Sequence, residues 1–148
     1  MFPQIIYGMQ LNIIMKTVFK ILRMILDVFL VAAVLLIFMM NGIAKKSIRE
    51  LDEIKAVDIA KAADGIYQGN YDTALVKVTL EASVENHKLM DIKIIRHENG
   101  KGKKAEAIVK QMIAENSTEA DVIAGATMSS KVIRAALIDA LKEGTEQK

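Results

Sequence analysis

The sequence predicts an α+β protein: an N-terminal transmembrane helix, then a small antiparallel sheet packed against two helices. Three features predict it. Val28–Met40 is an unbroken apolar run, two alternating segments flank the turn Glu85-Asn86-His87-Lys88, and two later segments carry apolar residues at helical spacing.

The apolar run alone is short, since a span needs about 20 mostly apolar residues. Extending it through Ile21–Asp27 on one side, or Asn41–Ala44 on the other, reaches that length, so residues 21–44 read as a single-pass anchor. Arg23 and Asp27 stand four apart, a spacing that lets them pair near the interface. A cleaved signal peptide would need a small-residue site after the run, and Asn41-Gly42-Ile43-Ala44 is a poor one. A core helix is rarely this apolar all round. Lys16, Lys20 and Arg23 precede the span and Lys45, Lys46 and Arg49 follow it, a tie that leaves orientation unset by charge. Residues 1–20 form an N-terminal segment in which Met15-Lys16-Thr17 resembles a conventional start.

Residues 45–63 carry Ile48, Leu51, Ile54 and Val57 among charges, which predicts an amphipathic helical stalk. From Asp64-Gly65 the pattern turns to β structure. Ile66–Tyr71 is a short strand. Ala74–Ala82 alternates, with Val76, Val78, Leu80 and Ala82 on one face. Asn86 suits a positive φ in the following turn. Leu89–His97 is the partner strand, with Met90, Ile92 and Ile94 facing together. Lys103–Glu115 is a helix with Ala105, Ile108, Val109, Met112 and Ile113 inward. Ser130–Lys142 is a second, with Val132, Ile133, Ala136, Leu137, Ala140 and Leu141 inward; Gly144 ends it, before a tail at 143–148.

Composition removes several function classes. The chain has 148 residues and no cysteine, so disulfides, thiolate metal sites, iron–sulfur clusters and thioether haem are out. Its two histidines, His87 and His97, do not make a zinc site. Three of the 20 basic and one of the 18 acidic residues precede Lys45, leaving 17 of each in the remainder. That balance gives no electrostatic reason for nucleic-acid binding. No acid–base pair or nucleophile system points to a hydrolase.

The stretch that carries chemistry is Asp121–Ser130, DVIAGATMSS. Gly125 and Ala126 leave little bulk beside the Thr127 hydroxyl, so another molecule can come close. The loop runs into a helix, for which Ser129 or Ser130 is a natural N-cap. Unpaired N–H groups at a helix start favour an anion. On these features alone a plain strand-to-helix turn is the better reading.

Asp121-Val122-Ile123-Ala124-Gly125-Ala126-Thr127, followed by Met128-Ser129-Ser130, resembles the flavinylation motif of the FMN-binding domain family, Asp-x-x-(Ser/Thr/Ala)-Gly-Ala-Thr-x-(Ser/Thr)-Ser. Asp64-Gly65-Ile66-Tyr67-Gln68-Gly69 resembles the family's opening, and His97–Ala105 its basic, glycine-containing segment, so the resemblance covers residues 64–142. It implies a membrane-anchored electron carrier, with FMN transferred from FAD by a flavin transferase onto Thr127 as a phosphoester. It implies a cytoplasmic-membrane protein whose domain is extracytoplasmic, served by a membrane electron donor or quinone. Ala124 stands where serine or threonine is frequent. The alternatives are a noncovalent FMN-binding module, or an anchored assembly protein with a vestigial site.

The expected cofactor-binding residues are therefore Asp121, Ala124, Gly125, Ala126, Thr127, Met128, Ser129, Ser130 and His97, with no catalytic or metal residue. On its own terms His97 reads as an exposed strand-end histidine; the other reading puts it near the flavin ring or phosphate. Lys101, Lys103 and Lys104 read as a solvated helix start, or as a lure for phosphate. Tyr67 and Tyr71 read as core or hairpin aromatics, either of which could stack on flavin. Asp121 either orients the loop through backbone hydrogen bonds or marks it for the transferase.

Overall fold

The fold was analysed in a computed structural model that describes residues 3–100 and 102–146. The chain forms two compact units, Met1–Gly42 and Ile43–Lys148. Helix α1 spans Pro3–Asp52, and its first forty residues make up the first unit. Side chains from Ile13 to Met40 are exposed on every face; Phe29 and Phe38 are 71% and 79% accessible. α1 is long and apolar enough to cross a membrane. Arg23 and Asp27 lie one turn apart on it without forming an ion pair.

The second unit holds an antiparallel sheet in the order β1-β2-β3: β1 Gly65–Asp72, β2 Val76–Glu85 and β3 Lys88–Asn99. A 3₁₀ turn at Lys103–Ala107 leads into α2, Ile108–Glu115, and α3 is Thr127–Glu146. The core lies between one face of the sheet and these helices. The alternation in β2 buries Val76, Val78, Leu80, Ala82 and Val84 as its period requires.

Several expectations are corrected. The helix foreseen over 45–63 ends at Asp52. A three-residue apolar spacing drifts around a helix, so one face cannot carry it for long. The helix buries Ser47 and Leu51, then gives way, and Ile54, Val57 and Ile59 reach the core from irregular chain and a 3₁₀ turn at Ile59–Lys61. Thr118 Oγ1 fixes this segment by bonding both the N–H and the carbonyl of Val57, at 3.3 and 3.4 Å.

In β3 Leu89, Ile92 and the half-buried Ile94 face the core, as expected for the last two, while Met90 is 53% exposed. Register shifts at Thr79/Leu80 and Ser83/Val84 leave Ile95 and Met90 without partners on β2. Each bulge resets which side faces in.

Helix α3 begins three residues before Ser130 and runs past Gly144. Gly144 is there for space. A Cβ on it would stand 2.7 Å from the Tyr67 ring, and its carbonyl accepts from Ala63 N–H at 3.1 Å. Gly69 of β1 allows the same closeness higher up, where a Cβ would run into the backbone of Ala136 and Ala140. The corrections for His97, Ser129, Ser130 and Asp121 are described with the site.

Candidate functional site

The site is built on the turn that launches α3. Ala126 N–H donates to the Ile123 carbonyl at 2.9 Å, and Gly125 sits at φ +71°. A positive φ at the third residue of such a turn is the type II pattern, which favours glycine. Ser130 N–H donates to the Ala126 carbonyl at 2.9 Å, closing the first α-helical bond. Ala126 is thus the N-cap, and Thr127, Met128 and Ser129 are the first three helical residues.

The expected capping by Ser129 or Ser130 is not found. Ser130 is buried and its hydroxyl accepts from Ile123 N–H at 3.0 Å, tying the helix back to the loop before it. Ser129 is buried beneath Gly102, where a Cβ would collide with its hydroxyl. No side chain caps the start, so the N–H groups of Thr127, Met128 and Ser129 have no acceptor among the described residues. Open donors at the positive end of a 20-residue helix form an anion site.

Thr127 is half-buried and belongs to this first turn. Ala126 is buried in the core and Met128 packs against it, while Ala124 and Gly125 are exposed. The turn is therefore gripped from below and open above. Asp121 is exposed and makes no hydrogen bond or ion pair among the described residues, so it does not orient the loop through backbone contacts.

A cation reaches the turn from the other side of the sequence. Lys104 Nζ lies 2.8 Å from where a Cβ on Gly125 would stand. Gly125 thus serves twice, through its φ and through the room it leaves for this ammonium. Lys103 and Lys104 are both exposed, as a solvated helix start requires, and Lys101 lies outside the described residues.

His97 is a buried residue of the site's surroundings, contrary to the exposed strand end foreseen for it: its side chain is 3% accessible. The cause is Glu106, which the 3₁₀ turn folds back over β3, placing Oε1 3.0 Å from His97 Nδ1. A carboxylate only accepts, so Nδ1 carries the hydrogen. Nε2 is buried and has no partner among the described residues. A buried ring nitrogen without a partner is costly unless another group serves it. Glu106 carries no periodic or motif signal, whereas Gly102 lies in the glycine-containing segment His97–Ala105. Tyr67 is remote from the turn, with its hydroxyl donating to Ala63 O at 2.9 Å beside Gly144; Tyr71 is half-buried at the end of β1.

These residues fit a phosphate ester. Three N–H groups without an acceptor among the described residues and the Lys104 ammonium belong to the turn that carries Thr127, and Ala124 and Gly125 on it are exposed. Among the described residues no cluster could hold a metal ion.

A comparison with curated proteins finds no match. The sequence profile of the FMN-binding domain family matches residues 48–142, which takes in the packed end of α1, the sheet, both later helices and the Thr127 turn. With nearly all of the second unit inside that match, the chain belongs to the FMN-binding domain family, and its cofactor is FMN.

Proposed function

We propose that the chain is a membrane-anchored electron carrier with FMN joined to Thr127 by a phosphoester bond. The observation that supports this most is the Thr127 position: a hydroxyl in the first turn of α3, beside three unclaimed N–H groups and the Lys104 ammonium. A phosphodiester there keeps one negative charge, which both features favour.

In the attachment step Thr127 Oγ1 forms the new bond to phosphorus while the P–O bond to the AMP part of FAD breaks. AMP leaves with the electron pair, and the threonine proton goes to a base of the transferase. Ala126 and Ser130 hold the turn rigid, and Gly125 keeps its outer face accessible to that enzyme. Asp121, exposed and unengaged, suits recognition by it. Bound FMN supplies one- and two-electron chemistry; the chain supplies position and charge. His97 Nε2 is a further polar contact for the cofactor. The anchor would hold the domain on the extracytoplasmic side of the cytoplasmic membrane, between a membrane electron donor or quinone and an acceptor.

Intact mass after denaturation tests the linkage, on protein co-expressed with a flavin transferase. The wild-type chain should keep the mass of one FMN group and Thr127→Ala should lose it, with stability changed by less than about 1 kcal/mol. Flavin released on denaturation would support noncovalent binding instead, and absence of flavin would support a vestigial site.

A further inference from the structure

An asparagine side chain is attacked most readily by the backbone nitrogen of the next residue when that residue is glycine, which has no side chain to block the approach. The chain has two such pairs, Asn41-Gly42 and Asn99-Gly100. Asn41-Gly42 lies inside α1, where the helical backbone commits the Gly42 N–H to a carbonyl one turn back. Asn116-Ser117, with the next smallest neighbour, is closed as well. Asn116 Oδ1 accepts from Leu89 N–H at 2.8 Å, and Ser117 N–H donates to the Met112 carbonyl at 3.1 Å.

Asn99-Gly100 is the open pair. Asn99 is the last residue of β3, paired with Val76, and Gly100 stands in a bend beyond the ladder. The Gly100 N–H has no acceptor among the described residues, and nothing lies within 4 Å of where a Cβ on it would stand. A single hydrogen bond, from Asn99 Nδ2 to the His97 carbonyl at 3.0 Å, holds the side chain. Asn99 also borders the candidate site. A Cβ on Gly102 would stand 3.5 Å from Asn99 Cβ and would collide with Ser129 Oγ. Residue 99 therefore neighbours the first turn of α3, whose N–H groups favour an anion.

We infer that Asn99 is a site of spontaneous deamidation, and that the carboxylate it leaves opposes attachment of FMN at Thr127. The Gly100 nitrogen bonds to Asn99 Cγ, and the side-chain nitrogen leaves as ammonia with the Gly100 proton. Water then opens the cyclic imide at either carbonyl. The net change is water in and ammonia out, and residue 99 becomes aspartyl or isoaspartyl. Either form adds a negative charge beside the place that the flavin phosphate would take, and like charges repel. This second half rests on the Thr127 reading above.

Full-length chain purified without a transferase would be held for days in mildly alkaline buffer, then digested. Each asparagine peptide would be weighed and tested with an isoaspartyl methyltransferase. The Asn99 peptide should gain the mass that separates a carboxylic acid from an amide several-fold faster than the Asn41 and Asn116 peptides. Gly100→Ala should slow it several-fold; a Cβ there meets nothing and φ is not positive, so the fold is kept. Equal rates at the three asparagines, or indifference to Gly100→Ala, overturn the deamidation site.

In timed co-expression with a flavin transferase, Asn99→Asp should take up FMN several-fold more slowly than wild type, and Asn99→Ser should stay close to wild type. Equal uptake in Asn99→Asp, or equal slowing in both variants, overturns the coupling. A wild-type chain that takes no covalent FMN overturns the Thr127 reading and the coupling with it. The deamidation result is read on unloaded chain and stands or falls by itself.

Discussion

The β2–β3 hairpin and the start of α3 both turn the chain sharply on left-handed residues, Asn86 and His87 in one, Gly125 in the other. In the hairpin the neighbouring donors are claimed. His87 N–H donates to Asp64 Oδ1 at 3.2 Å, Leu89 N–H donates to Asn116 Oδ1 at 2.8 Å, and His87 Nδ1 lies 3.0 Å from Ala62 O. Asn116, itself at φ +47°, caps α2 while making that bond. At the start of α3, Ile123, Ala126 and Ser130 are tied down, yet three N–H groups, the Lys104 ammonium and His97 Nε2 have no partner among the described residues. Backbone polarity is closed on protein where a turn only holds structure, and left open where oxygen atoms of a ligand would complete it.

The strongest challenge to this contrast is Gly69→Val, because Gly69 lets α3 pass along the sheet between the two turns. The clash is with backbone, which cannot rotate away, so a loss of about 3 kcal/mol or more is expected. Thermal unfolding should show it, and flavin incorporation should fall in step. A wild-type melting temperature would mean that α3 does not press on β1 as described.

Asn116→Ala isolates the closed turn. It removes a hydrogen bond and puts alanine in a left-handed conformation, together about 2 kcal/mol. Asn116→Gly should recover the conformational part alone. Urea unfolding would separate the two, and FMN mass should be unchanged in both. Loss of covalent flavin in either would contradict the separation of roles.

Gly125→Ala acts on the open turn. The strain of a Cβ at φ +71° costs about 1 kcal/mol, and the Cβ also displaces Lys104. Flavinylation in a timed co-expression should drop more than stability does. Lys104→Gln should slow it too, with stability within about 0.5 kcal/mol of wild type.

The smallest effect belongs to Asp64. Backbone N–H groups of Asn86 and His87 hold its carboxyl below the usual carboxylate range. A group with a lowered folded pKa contributes stability that is full above its unfolded pKa and is lost as pH falls through the folded one. Wild type should therefore lose stability between about pH 4 and the lower folded value, and Asp64→Asn should lack that increment. Urea midpoints measured across acidic pH test this; parallel curves would remove Asp64 from the hairpin's support.

The sequence by itself determined the α+β class, the antiparallel hairpin, the apolar faces of β2, α2 and α3, and the candidate hydroxyl. Those follow from local periods of two and 3.6 residues and from the contiguous run Asp121–Ser130. Only the tertiary structure decided that α1 stops at Asp52, that Met90 faces out, that α3 starts at Thr127 instead of Ser130, and that His97 is buried against Glu106. It also brought Lys104 to Gly125. Each depends on residues far apart in sequence meeting across the core: a bulge is a mismatch between two strands, a buried histidine needs a helix folded over it, and a helix start yields to whichever distant group takes its donors.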